Sequence, residues 1–216
     1  MIPLSDVDRR PVRFPAVTAV IIGINVLVFA LELTKGRAFI IRWSFVPSHI
    51  ASGRDLITLL TAMFIHGGWL HIGGNMIYLW AFGPEIEDFM GRARYLMFYL
   101  LGGLTASLVQ VAANPLSSMP NLGASGAIAA VMGAFLITFP RDRIRTILII
   151  VFFVTIYRVP AALLVGFWFL IQLFSEAGSI MERQTGGIAY MAHIGGFVFG
   201  VVFAHLFATR KKSGAI

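Results

Sequence analysis

The chain has 216 residues, of which 58% are hydrophobic and 12% charged. A soluble domain carries roughly twice that charge, so lipid is the solvent for most of this molecule, and one membrane domain over 1–216 uses up the length. The net charge of +7 does not mark a nucleic-acid binder, because the arginines sit in short clusters between apolar runs and form no stripe interleaved with aromatics.

From the N-terminus, Arg9, Arg10 and Arg13 precede an apolar run. That run, about 16–33, is long for a signal peptide and no Ala-x-Ala site follows it, so it reads as a retained first span. Thr34–Ile65 is too charged to cross the bilayer and too apolar for a free loop, which predicts an interfacial element. Further spans are predicted at about 69–82, 95–112 and 125–139. The stretch Thr146–Glu176, broken by Arg158-Val159-Pro160, reads either as one span with an apolar lead-in or as two short ones. The last span covers about 188–208. No period of 20 to 50 residues recurs and no two halves match, which excludes a solenoid and an inverted-repeat transporter.

Charge decides the fifth span. With one span, about 158–175, the total is six. Arg9, Arg10, Arg13, Arg92, Arg94, Arg141, Arg143, Arg145, Arg210, Lys211 and Lys212 then share a side, 11 of 17 basic residues. With two, the terminal Arg-Lys-Lys would lie outside. The positive-inside bias selects six spans with both termini cytoplasmic. The expected fold is an all-α membrane protein, a six-helix bundle with an interfacial loop between its first two spans, in which Thr146–Tyr157 has no assigned role.

Strongly polar side chains inside a span are costly and mark function. Ser125 lies in Gly123-Ala124-Ser125-Gly126 at the mouth of the fourth span, where the glycines leave its hydroxyl open. His193 lies in Ala192-His193-Ile194-Gly195-Gly196, about a turn before the Gly196-x-x-x-Gly200 notch that admits a neighbouring helix. His71 and Asn75, four apart, share one helical face beside glycines. Each set alone also fits helix packing or an interhelical hydrogen bond. Depth separates the readings. At about 1.5 Å per residue, Ser125, His71, Asn75 and His193 all fall in the outer part of the bilayer.

A serine needs a base to attack a carbonyl, and His193 is the histidine placed to serve Ser125. No acidic residue lies at that level to orient it, so a Ser–His dyad is expected, with His71, Asn75 and the Ser125 N–H stabilising the oxyanion. Asn75 is a poor zinc ligand, no His-Glu-x-x-His occurs and cysteine is absent, so the chemistry asks for neither metal nor cofactor.

Over nearly all its length the chain resembles the rhomboid intramembrane serine proteases. The resemblance rests on Gly-x-Ser-Gly at Gly123–Gly126, Ala-His-x-Gly-Gly at Ala192–Gly196 and His-x-x-x-Asn at His71–Asn75. His66 is also in the family's spacing, and Glu87 matches a position that packs structurally. The sequence departs from the family at Ile57-Thr58, where Trp-Arg is frequent. The resemblance implies Ser125 as nucleophile, His193 as base, and His71 and Asn75 in or beside the oxyanion hole, which Gly123 supports. Gly126, Gly196 and Gly200 are expected to pack helices. It further implies single-span membrane proteins as substrates, cut near the outer face, and a prokaryotic inner membrane as location. The competing reading is an inactive rhomboid-like protein that binds membrane clients. Oligomeric state stays open, since Gly196-x-x-x-Gly200 serves internal packing equally well.

Overall fold

The computed structural model describes residues 1–150, 153–181 and 190–209. Six helices of 14 to 22 residues form its body: α1 (Ala16–Lys35), α5 (Trp69–Met90), α6 (Arg92–Ala113), α7 (Ser125–Thr138), α8 (Ala161–Met181) and α9 (Tyr190–Phe203). Three short helices, α2 (Arg37–Trp43), α3 (Pro47–Ala51) and α4 (Thr58–Thr61), fill the connection between α1 and α5.

α1 shows what the bundle is dissolved in. Its buried stripe is Thr18, Ile21, Asn25, Phe29 and Glu32, at helical spacing and with three polar members. Its exposed face carries Val20, Ile24, Leu27, Leu31 and Leu33. A helix in water would face the other way. Polar groups turned inward and leucines turned outward are what hydrocarbon selects. The segments Ala16–Lys35, Arg92–Ala113 and Tyr190–Phe207 are each long and apolar enough to cross a membrane, and Ser125–Thr138 and Ala161–Phe174 are apolar but shorter. The chain is an integral membrane protein.

α7 is the axis. Gly126 through Phe135 are all buried, so this helix is apolar around its whole circumference because it has neighbours on every side. α9 packs on it backbone to backbone. A methyl group on Gly196 would run into the Gly126 carbonyl, one on Gly200 into the Ala130 carbonyl, and one on Gly133 into the Phe197 carbonyl. Gly126 itself faces α6, where a Cβ would stand 2.6 Å from that of Ala106. At Gly126, Gly196 and Gly200 a side chain would thus meet the neighbouring helix.

An all-α architecture does not hold. β1 (Ile2–Asp6), β2 (Arg143–Ile150) and β3 (Phe153–Pro160) form an antiparallel sheet in the order β1-β2-β3. The described residues of the Thr146–Tyr157 stretch, 146–150 and 153–157, fall in these strands. Eight of its 12 residues are β-branched, which disfavours helix and suits a pleated surface. Ile144 and Thr146 are buried while Arg143 and Arg145 point out, the alternation of a sheet with one covered face. β1 joins by pairing Ile2 with Ile147 and Asp6 with Ile144.

Boundaries move for local reasons. Pro160 favours extended backbone before it, so Arg158 belongs to β3 and the fifth long helix covers Ala161–Met181 instead of 158–175. α5 runs to Met90 instead of ending near Phe82, with Pro84 inside it. α9 is described from Tyr190 and passes into a 3-10 turn, Ala204–Phe207; the predicted start at 188 lies outside the described residues.

The two ends of the bundle differ. At one end, the Glu87 carboxylate near the end of α5 accepts the Val17 N–H (3.0 Å), the Thr18 N–H (2.8 Å) and the Thr18 hydroxyl (2.9 Å). It thereby satisfies donors that the start of α1 leaves open and sits where the helix dipole favours negative charge. The sheet lies at this end too, tied on by Arg9 to Asp142 at 2.8 Å. At the other end the loop before α7 is strapped to the α2–α4 segment. Phe45 and Asn121 exchange backbone hydrogen bonds (3.0 and 2.7 Å), and the Gly123 N–H donates to the Ala62 carbonyl at 2.8 Å.

Candidate active site

Ser125 is the first residue of α7 and His193 the fourth described residue of α9. Gly196 and Gly200 seat α9 against Gly126 and Ala130, so the residues about a turn earlier are drawn together as well. His193 Nε2 stands 2.7 Å from Ser125 Oγ. The imidazole is 8% exposed. Its ring lies 5.7 Å from that of Trp168, and the Ala192 N–H before it donates to Gln110 Oε1 on α6 at 3.2 Å. His193 Nδ1 is 2.7 Å from Gln172 Oε1 of α8.

His71 comes from the first turn of α5. Its Nδ1 accepts the Gly67 N–H at 3.3 Å, so in the neutral ring the proton is on Nε2. That nitrogen lies beside Gly123, where a Cβ would stand 2.8 Å from it. Gly123 also has a φ of +122°, outside the range side-chain-bearing residues adopt. Two constraints thus require glycine here. Since the Gly123 N–H is already bound to Ala62, this residue makes room for the histidine and does not itself offer a donor. Asn75, one turn along α5, is buried, and its Nδ2 has no partner.

These groups open on one cavity of about 670 Å³. His71, Asn75 and Tyr78 of α5, Ser125, Ile128 and Met132 of α7, Trp168 of α8 and His193 of α9 line it. Polar atoms gather at one spot on an otherwise apolar wall, the usual make-up of a ligand-binding site. Among the described residues no three His, Asp or Glu side chains converge as a metal-binding group.

His66 stands apart from the reacting atoms. Its N–H donates to Glu32 Oε1 at 3.0 Å and its ring packs edge-on against His71 at 5.1 Å, so it ties α1 to the loop before α5. Gln172 and Gln110 are contacts that the sequence analysis did not single out. Neither is an acid, although a glutamine within an apolar run carries the same signal of a polar group in lipid.

Residues 53–210 match the family model of the Rhomboid domain. Among curated relatives, the mitochondrial Rhomboid protein 1 of Saccharomyces cerevisiae is 30% identical over 192 residues, which covers 85% of this chain and 51% of that protein. The mitochondrial presenilin-associated rhomboid-like protein of Homo sapiens is 29% identical over 184 residues, 84% of this chain and 45% of the relative. The rhomboid protease GluP of Bacillus subtilis is 28% identical over 208 residues, 93% of this chain and 36% of the relative. The chain spans about half the length of these relatives or less. Two of the three names are mitochondrial, so the likeness does not favour a prokaryotic membrane. The sequence motifs, the helical membrane bundle and the matched residues agree on one conclusion: the chain belongs to the rhomboid family.

Proposed function

We propose that the chain is an intramembrane serine endopeptidase that hydrolyses a peptide bond of single-span membrane proteins near the outer face. The observation that carries this reading is the 2.7 Å approach of Ser125 Oγ to His193 Nε2 across two helices, on the wall of a cavity large enough for a peptide segment. Ser125 attacks the scissile carbonyl as His193 takes its proton. The negative charge that develops on the carbonyl oxygen meets His71 Nε2–H, the Asn75 amide and the Ser125 N–H. His193 returns the proton to the leaving amine, and water then cleaves the acyl-enzyme. The partnerless Asn75 Nδ2 supports its role, since a buried donor without an acceptor is costly unless a ligand supplies one.

The charge distribution supports the orientation. The sheet end carries Arg9, Arg10, Arg13, Arg92, Arg94, Arg141, Arg143 and Arg145, so it faces the cytoplasm, and the Ser125 end faces outward. All six long helices cross the bilayer on this reading, the α2–α4 segment lies in the outer interface, and the N-terminus is cytoplasmic. Peptide bonds inside a helix are shielded by their own hydrogen bonds. The preferred substrates therefore carry helix-weakening residues at the cleavage site.

The test is cleavage of a model single-span substrate in liposomes. Ser125→Ala and His193→Ala each abolish it, a loss of roughly 10⁴-fold or more, while both variants stay folded. Undiminished cleavage by either purified variant refutes the dyad.

A further inference from the structure

A dyad leaves the base free to turn and to place its proton on either ring nitrogen. Only a neutral imidazole with its proton on Nδ1 presents a lone pair to Ser125. The hydrogen-bond chain beyond His193 fixes this state. Gln172 Nε2 is 3.3 Å from the Trp168 carbonyl oxygen one turn back on α8. A main-chain carbonyl can only accept, so the amide nitrogen must be the atom on that side. This leaves Gln172 Oε1, itself only an acceptor, 2.7 Å from His193 Nδ1. The proton between them therefore sits on Nδ1, and Nε2 accepts from Ser125 Oγ–H at 2.7 Å. Every donor in the line Ser125, His193, Gln172, Trp168 points one way, and the backbone of α8 sets the direction.

We infer that Gln172 is the positioning residue of the base. It holds His193 in the Nδ1–H form and fixes the plane of its ring, so that α7, α8 and α9 each supply one member of a Ser–His–Gln line. The inference rests on the reading of His193 as the base. An amide suits this location. Gln172 itself is buried, where a carboxylate would carry a heavy desolvation cost, whereas an amide orients the ring without burying a charge. The cost is that it stabilises the imidazolium less than a carboxylate would, so the oxyanion donors carry a greater share of the catalysis.

The test compares wild type, Gln172→Glu, Gln172→Leu and Gln172→Met by ¹⁵N-histidine NMR and by kinetics. The wild type shows His193 protonated on Nδ1. Gln172→Leu and Gln172→Met, of similar volume but lacking the acceptor, lose that signature, and kcat falls roughly 10-fold or more with KM little changed. Gln172→Glu keeps an oxygen acceptor at the site, so it retains the Nδ1–H signal and more turnover than Gln172→Leu, even though the buried carboxylate lowers its melting temperature. The inference fails if Gln172→Leu keeps the Nδ1–H signal and wild-type kcat. It fails equally if Glu, Leu and Met variants lose activity and melting temperature together, since that is the pattern of a packing residue. The two readings fail separately. Cleavage by Ser125→Ala would remove the dyad, while the NMR signature still decides whether Gln172 orients the ring.

Discussion

Asn75 and Glu87 lie twelve residues apart on the same helix and both are buried, but they are treated in opposite ways. Glu87 has its carboxylate filled by two backbone N–H groups and a hydroxyl from the start of α1. Asn75 has an amide nitrogen with no partner, facing a cavity. A filled polar group in lipid holds the bundle together. An unfilled one is a standing cost that makes sense where a charge will arrive. One helix thus carries a filled polar group near its C-terminal end and an unfilled one, beside the cavity, near its start.

Substitution separates the two. Asn75→Ala lowers kcat by roughly 100- to 1,000-fold, about 3–4 kcal/mol of transition-state stabilisation, and leaves the melting temperature in place. Equal losses of rate and melting temperature would make Asn75 a packing residue. Glu87→Ala does the reverse. It strips the acceptors from the start of α1 and costs about 1–3 kcal/mol of stability per orphaned donor, while turnover per folded molecule is kept. Denaturation monitored alongside activity distinguishes the two patterns.

The smallest effect is in the sheet. Burial, opposed by the backbone N–H groups of Asp8 and Arg9 and reinforced by the Asp142 carboxylate, pushes the Asp6 carboxyl up to about 6 from 3.8. The folded state then holds this proton more tightly than the unfolded one, so Asp6's contribution is full below about pH 4 and fades as pH rises through 6. Asp8 has the opposite sign. The Arg143 guanidinium, bonded to it at 2.9 Å, holds its carboxyl down to about 2, so its contribution is lost only on acidification through that range. The protection of the β1 amides, taken relative to intrinsic exchange at each pH, should rise between pH 7 and pH 5, and Asp6→Asn should flatten the change. Protection that instead rises with pH would contradict this.

How much of this was legible in the sequence follows from where the forces lie. Ser125, His193, His71 and Asn75 stood out because a polar group in hydrocarbon needs a reason. Gly196 and Gly200 stood out because their spacing is that of a helix notch, and that notch brings Ser125 and His193 together. Gln172 carries the same polar signal, but it is not an acid, and an amide as the partner of an imidazole has no spacing motif that marks it. The sheet was hidden for a different reason. A run such as Thr146–Tyr157 is mostly apolar and largely β-branched and has no period that separates a strand from the end of a span. Its third strand comes from Ile2–Asp6, distant in sequence, whose basic surroundings read as a topology signal. Glu87 could be placed as structural, but its partners, the amides of Val17 and Thr18, are backbone groups that no side-chain pattern reveals.

The central claim is that His193 makes the hydroxyl of Ser125 a nucleophile, and covalent labelling with a fluorophosphonate probe, followed by peptide mapping, tests it most directly. Wild-type protein takes up one probe, at Ser125, and labelling is lost in Ser125→Ala and greatly slowed in His193→Ala. Labelling that persists at full rate in Ser125→Ala, or maps to another serine, would contradict the account.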